Sequence, residues 1–261
     1  MPKYDFQSPR LYVPGALKAG ADVALDKPQA HYLRNVLRLK PGDGVLVFNG
    51  KDGEWQASLA DGKRMALVLQ EQTRPQTEPL DLHYLFAPLK HERLDYMVQK
   101  AVEMGVSRLQ PVLTQHTQVK RINLERMRAN AIEAAEQCGV LSIPEIAEPI
   151  SFARALAGRK PDRLLVFCDE AAEVKDPVGA LANARESPSA MLPLTMSGAG
   201  AATQALALLV GPEGGFAEEE RAALLKATNV VHLSLGPRIL RADTAAVAAL
   251  ALLQSVIGDW R

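Results

Sequence analysis

The hydrophobic pattern of the chain changes period near residue 80. Before it, apolar residues come in short runs broken by Gly, Pro, Asn and Asp. Residues 45–48, 54–59 and 64–70 read as strands, punctuated by Asn49-Gly50, Asp52-Gly53 and Asp61-Gly62. Residues 11–24 alternate loosely around Pro14 and Gly15. Between these segments, residues 31–39 place Tyr32, Leu33, Val36 and Leu37 at helical spacing, with Arg34, Asn35 and Arg38 on the other side. Pro28 suits the start of that helix, and Pro41-Gly42 its end. Short strands at close spacing predict a small β-barrel or sandwich.

Residues 71–79 are polar, carry Pro75 and Pro79, and have no apolar period, so they read as a linker between domains 1–73 and 78–261. Beyond them strands and helices alternate. Strands are expected at 80–87, 108–113, 164–168, 206–210 and 231–235. Helices are expected at 93–104, ended by Gly105, at 121–138 and from 217 to 226. A last helix begins at Asp243 or Thr244, either a competent N-cap, and is apolar almost all round. Such alternation implies parallel βαβ units, hence an α/β domain. An all-round apolar helix there suggests an interface or a chain end tucked into the fold. Residues 186–204, rich in Ser, Gly and Ala, read as an inserted surface loop without chemistry.

Composition changes this picture little. The chain has 261 residues, 48% hydrophobic and 23% charged, with a formal net charge of zero. That is ordinary globular composition with no global field for a polyanion. The balance is uneven, mildly basic to residue 128 and acidic after it, so the first half could grip nucleic acid. The two cysteines, Cys138 and Cys168, have no ligand spacing, so neither a metal site nor a disulfide is indicated. The apolar run 245–257 is too short to span a bilayer. The expectation is a soluble, cytoplasmic protein with no membrane and no metal.

Candidate chemistry gathers at two strand ends. The run Leu209-Val210 breaks into Gly211-Pro212-Glu213-Gly214-Gly215, which is either a plain turn or half of a site. Glu218, Glu219 and Glu220 crowd the helix start that follows and would repel phosphate, and the GKS/GKT and GxGxxG patterns are absent. A neutral or cationic cofactor suits this loop better. The second strand end, Leu235-Gly236-Pro237, carries Arg238 and Arg241 around apolar Ile239 and Leu240. Lys90 and Asp169-Glu170 also follow strand ends, the latter beside a pocket or merely solvating a loop. His31, Arg34 and Arg38 could meet phosphates or form a solvated face. Arg121, Arg126 and Arg128 could meet an anion or pair with neighbouring carboxylates.

Together, Leu209-Val-Gly-Pro-Glu-Gly-Gly-Phe216 and Leu233-Ser-Leu-Gly-Pro-Arg-Ile-Leu-Arg-Ala-Asp-Thr-Ala245 resemble the signature of the SPOUT RNA methyltransferases. Within them the chain is most similar to the ribosomal RNA small subunit methyltransferase E family. His31-Tyr-Leu-Arg-Asn-Val-Leu-Arg-Leu39, Lys100-Ala-Val-Glu-Met-Gly-Val106 and Glu133-Ala-Ala-Glu-Gln-Cys138 resemble further family blocks. The resemblance implies a PUA-like RNA-binding barrel followed by an α/β domain with a trefoil knot. It implies S-adenosylmethionine as methyl donor, a homodimer, and N3-methylation of uridine 1498 in 16S ribosomal RNA of the small ribosomal subunit. Leu209, Val210, Gly211, Pro212, Gly214, Leu233, Leu235, Gly236, Ile239, Leu240 and Thr244 would then hold the cofactor. Arg238 and Arg241 would stabilise charge on the uracil oxygens, and Glu213 would order its loop or help remove the proton. RNA would lie along His31, Arg34, Arg38, Lys90, Arg121 and Arg126. One departure is Val140-Leu141-Ser142, where the family usually carries arginines. The rival readings are a SPOUT enzyme acting on another RNA position or a ribose 2′-hydroxyl, and a non-catalytic RNA-binding module.

Overall fold

The structure, a computed structural model, describes residues 5, 7–60, 65–172, 176–186 and 204–260. The Asp61-Gly62 turn and the suggested insertion at 186–204, but for its two ends, lie outside the described residues. The chain forms two compact units, one of residues 1–78 with 132–143, the other of 79–131 with 144–261.

The first unit is a mixed five-stranded sheet of β1 (Arg10–Tyr12), β2 (Asp22–Ala24), β3 (Gly44–Phe48), β4 (Glu54–Leu59) and β5 (Ala66–Arg74). Their order is β1-β3-β4-β5-β2, with β1 parallel to β3 and the other pairs antiparallel. Leu11, Val45, Val47, Ala57, Leu67 and Leu69 build its core. β5 runs four residues into the stretch read as linker. Arg74 gains a place there because, with Arg10, it binds the buried carboxylate of Glu54. Burial alone would raise that carboxyl, but the two guanidiniums more than offset it and hold it below its ordinary range.

The expected helix at 31–39 lies earlier and changes pitch. α1 (Lys27–His31) starts at Asp26, whose carboxylate accepts from the Gln29 amide at 2.7 Å while the Gln29 side chain accepts from the Asp26 amide at 3.1 Å. A π-helical turn, Tyr32–Val36, follows, closed by Leu37 N–H donating to the Tyr32 carbonyl at 3.0 Å. The wider turn rotates the apolar stripe. Leu33 stays fully buried, but Val36, expected on the same face, is 58% exposed. Arg38, in the left-handed region at φ 58°, ends the segment before Pro41-Gly42 is reached.

The second unit is a parallel sheet. Its strands are β6 (Leu82–Phe86), β7 (Arg108–Leu113), β8 (Glu145–Ile146), β9 (Ile150–Ser151), β10 (Leu164–Cys168), β11 (Leu206–Val210) and β12 (Val230–Leu233). The order is β12-β10-β11-β6-β7-β8, with β9 also on β7. β11, late in sequence, enters between β10 and β6, with Leu208 opposite both Val166 and Tyr84. Its five residues are all buried, as a parallel strand covered on both faces requires. The helices are α2 (His91–Glu103), α3 (Leu124–Cys138), whose residues from Ile132 belong to the first unit, α4 (Phe152–Ala157), α5 (Pro177–Glu186), α6 (Glu218–Lys226) and α7 (Ala242–Val256). α3 starts later than expected, where the Asn123 side chain accepts from the Arg126 amide at 2.9 Å.

α7 packs on α2, α5 and β11. Ala245, Ala246, Ala249, Leu250 and Leu253 are buried, but Val247, Ala248, Ala251 and Leu252 are only partly so. The helix is thus buried on one face rather than all round. Its start also differs from expectation. Arg241 is the N-cap, without a side-chain cap bond because a guanidinium has no acceptor, and the carboxylate of Asp243 binds Arg93.

Candidate functional site

β10, β11 and β12 end side by side, and the loops leaving their carboxyl ends enclose a cleft of about 270 Å3. The site lies at the carboxyl ends of parallel strands, the usual side for ligands in an open α/β sheet. Its volume is near the lower end of the ~300–1,000 Å3 range of small-molecule pockets.

The first loop continues β10. Asp169 is buried, accepts from the Ala171 amide at 3.1 Å and is held by the Arg221 guanidinium at 2.9 Å. Glu170 beside it is exposed and lines the cleft. Cys168 also lines it, and burial raises its thiol to about 12, so it stays protonated and is no nucleophile at neutral pH.

The second loop is Gly211–Phe216. Gly211 has to be small, because a Cβ there would stand 3.0 Å from the Phe216 ring. That ring packs on Phe167 and Phe152, with centroids 6.0 and 6.2 Å away, so the loop closes onto the core under the sheet. Its outer side is clasped by the segment after β7. His116 donates through Nδ1 to the carbonyls of Gly214 and Gly215 at 3.0 and 3.2 Å. The Gln115 amide donates to Glu220 at 2.9 Å, and the other oxygen of Glu220 accepts from Ala217 at the α6 start. One of the three glutamates that disfavour phosphate here is therefore also a structural tie.

The third loop runs from Ser234 to Arg241. Gly236, at φ 97°, turns the chain in a conformation that side chains disfavour. Leu233, Leu235 and Leu240 supply apolar wall and Arg238 a guanidinium. Ile239 lines the mouth with its side chain 89% exposed.

The two loops singled out in the sequence thus meet in one cleft. Val210, Gly211, Pro212, Glu213, Leu233, Leu235, Gly236, Arg238, Ile239 and Leu240 all line it. Leu209 is buried in β11, Gly214 faces His116, Thr244 is on the first turn of α7 and Arg241 is its exposed N-cap; these four do not line the cleft. Glu213 pairs with Arg93 of α2, which also chelates Asp243 through Nε at 3.1 Å and Nη2 at 2.8 Å. The Arg93 hydrogen bond holds the Asp243 carboxyl below its ordinary range. Arg93 and His116 were not singled out in the sequence. Arg93 lies three residues after Lys90, and its position behind a strand end was the one available signal.

The candidate RNA residues fall in separate places. His31, Arg34 and Arg38 are exposed around Val36 in the first unit. In the second, Lys90 is the exposed N-cap of α2 and Arg121 is exposed before α3. Arg126 is paired with Asp95, which also accepts from Asn130 at 2.6 Å. Among the described residues no group of His, Cys, Asp and Glu is arranged to hold a metal, and no helix is long and apolar enough to cross a membrane.

The chain has clear relatives. Residues 76–254 match an RNA methyltransferase domain and residues 25–70 an RNA methyltransferase PUA domain. Ribosomal RNA small subunit methyltransferase E of Rickettsia conorii is 30% identical over 245 residues, covering 93% of each chain. Its counterpart in Synechocystis sp. is 33% identical, covering 91% of this chain and 74% of the relative. Among solved structures, the same enzyme from Neisseria gonorrhoeae, bound to S-adenosyl methionine, superposes with a TM-score of 0.79 at 27% identity, covering 98% of this chain and 100% of that one.

Proposed function

From a chain that belongs to the RNA methyltransferase family, its N-terminal unit carrying the PUA domain, we propose an enzyme that methylates N3 of a uridine in 16S ribosomal RNA, at position 1498, with S-adenosylmethionine as donor. The observation that carries this reading is the cleft itself, with two Gly-Pro loops and an acidic edge brought together at the ends of β10, β11 and β12.

The cleft fits that donor chemically. Val210, Leu233, Leu235 and Leu240 offer apolar wall for a purine, and the loops present backbone at close range. Asp169, Glu170 and Glu213 stand against Arg221 and Arg238 in the lining, which leaves it one net negative charge for a molecule with a sulfonium and an ammonium against one carboxylate. Bound there, the donor supplies an electrophilic methyl group. The protein's task is then largely positioning.

Uridine N3 is a poor nucleophile until its proton leaves, after which charge spreads onto O2 and O4. A guanidinium at those oxygens lowers the barrier by electrostatic stabilisation. Arg238, on the cleft, and Arg241, at the start of α7, are assigned that role. Glu213 orders its loop through its ion pair with Arg93. The exposed residues His31, Arg34 and Arg38, with Lys90, Arg121 and Arg126, are assigned to the RNA backbone. The half-buried side of α7, with Val247, Ala248, Ala251 and Leu252, is assigned to a homodimer interface. The insertion of β11 between earlier strands, with α7 packed back on β11, supports the trefoil knot.

Nucleoside analysis of 16S RNA from a deletion strain, before and after treatment with the purified protein, tests the reading. Restored N3-methyluridine is the expected result. A ribose 2′-O-methyl product, or no product, overturns it.

A further inference from the structure

Arg93 does not line the cleft, yet it holds both of the Gly-Pro loops that do. Through Nη1 it binds Glu213, in the loop after β11. Through Nε and Nη2 it chelates Asp243, in the first turn of α7, where the loop after β12 ends. We propose that Arg93 is a positioning residue that sets these two loops in register, so that donor binding depends on a side chain outside the cleft. The donor part of this proposal rests on the function proposed above.

Three observations support it. The guanidinium is mounted on a fixed base, since α2 buries Met97, Val98 and Ala101 almost completely. Its two ion pairs join the loops to each other, since the first is otherwise anchored to His116, Gln115 and the Phe216 packing, and α7 has no side-chain N-cap of its own. Finally, Glu213 and Asp243 carry like charge. Without the cation between them they would push the two loops apart. The planar fork matters as well as the charge, since it serves two carboxylates from different directions at once and a lysine ammonium is a single point.

The test compares wild type, Arg93→Met and Arg93→Lys in two measurements on the full chain. The first is hydrogen exchange without cofactor. Arg93→Met is expected to speed exchange of amides in both 211–217 and 234–244, with Arg93→Lys in between. The second is S-adenosylmethionine titration with steady-state kinetics. Arg93→Met is expected to weaken binding about tenfold, or ~1.4 kcal/mol, raising KM for the donor while turnover at saturating donor persists. A merely structural role would lower the melting temperature without loosening both loops or separating KM from kcat. Folded Arg93→Met with unchanged exchange in either loop overturns the proposal, as does donor affinity within about twofold of wild type. If wild type itself binds no S-adenosylmethionine, the proposed function fails, and the exchange measurement alone decides whether Arg93 registers the loops.

Discussion

Gly211→Ala places one methyl group in over-tight contact with the Phe216 ring. The added Cβ would lie 3.0, 3.1 and 3.3 Å from three atoms of the Phe216 ring. Carbon atoms pack best at ~3.5–4.0 Å, so the ring must retreat by a few tenths of an ångström. Its packing resists the shift, since Phe167 meets it edge-on at 6.0 Å and Phe152 packs against it at 6.2 Å. Overpacking of this kind costs about 1–3 kcal/mol. For a domain of 150–250 residues each kcal/mol lowers Tm by ~2–4 °C, so the expected loss is about 2–12 °C. Differential scanning calorimetry measures it. Because the Phe216 ring is the obstacle, the same Gly211→Ala change should cost clearly less on a Phe216→Leu background, a coupling that a double-mutant cycle reads directly. Equal penalties on the two backgrounds would show that the Phe216 ring is not what constrains residue 211.

Other outcomes follow from the same geometry. Arg241→Ala should abolish methyl transfer while donor affinity stays within about tenfold, or ~1.4 kcal/mol; single-turnover assays with calorimetric titration check both, and full activity refutes the assignment. Gly236→Ala, forced to φ 97° in open space, should cost about 1–3 kcal/mol by strain alone, measured as a fall in denaturant midpoint at constant m. The Asp243 carboxyl is lowered in the fold, so its stabilisation is fully present above its unfolded pKa of ~3.9 and is lost as pH falls through the lower folded value. Melting temperature should therefore be insensitive to this pair from pH 8 to about 5 and decline below it, and Asp243→Asn should flatten that acid limb. Arg34→Ala should weaken RNA binding and lower the salt slope by about one, read from affinity against salt concentration.

Much of the second unit was legible because its physics is local. A parallel strand covered on both faces must be apolar throughout, which makes Leu164–Cys168 and Leu206–Val210 visible as continuous runs. Gly and Pro at the ends of such runs marked the loops of the cleft. β8 and β9, two residues each, are too short to carry a period. The turn at Tyr32–Val36 departs from the 3.6-residue period that the sequence pattern implies, and its π-helical pitch turns Val36 outward. Arg93 stayed hidden for another reason: its partners lie 120 and 150 residues away, and an ion pair between distant positions has no local pattern. The same holds for His116 and the carbonyls of Gly214 and Gly215. Local rules favour Asp243 as a helix cap, and only the fold shows it bound to Arg93.

The position of β11 has a consequence in time. Its neighbour β6 is made first, and Leu82–Phe86 must wait for Leu206–Val210 before that edge is paired. At ~5–20 residues per second, the wait on the ribosome is on the order of ten seconds. For that interval the nascent sheet has an open slot bordered by Leu82, Tyr84 and Phe86, residues that are almost wholly enclosed in the finished protein. An unpaired apolar edge is a template for the wrong strand. The strand that ends in the Gly-Pro-Glu-Gly-Gly loop is therefore also the one whose late arrival closes that slot, leaving the far edge of β10 for β12.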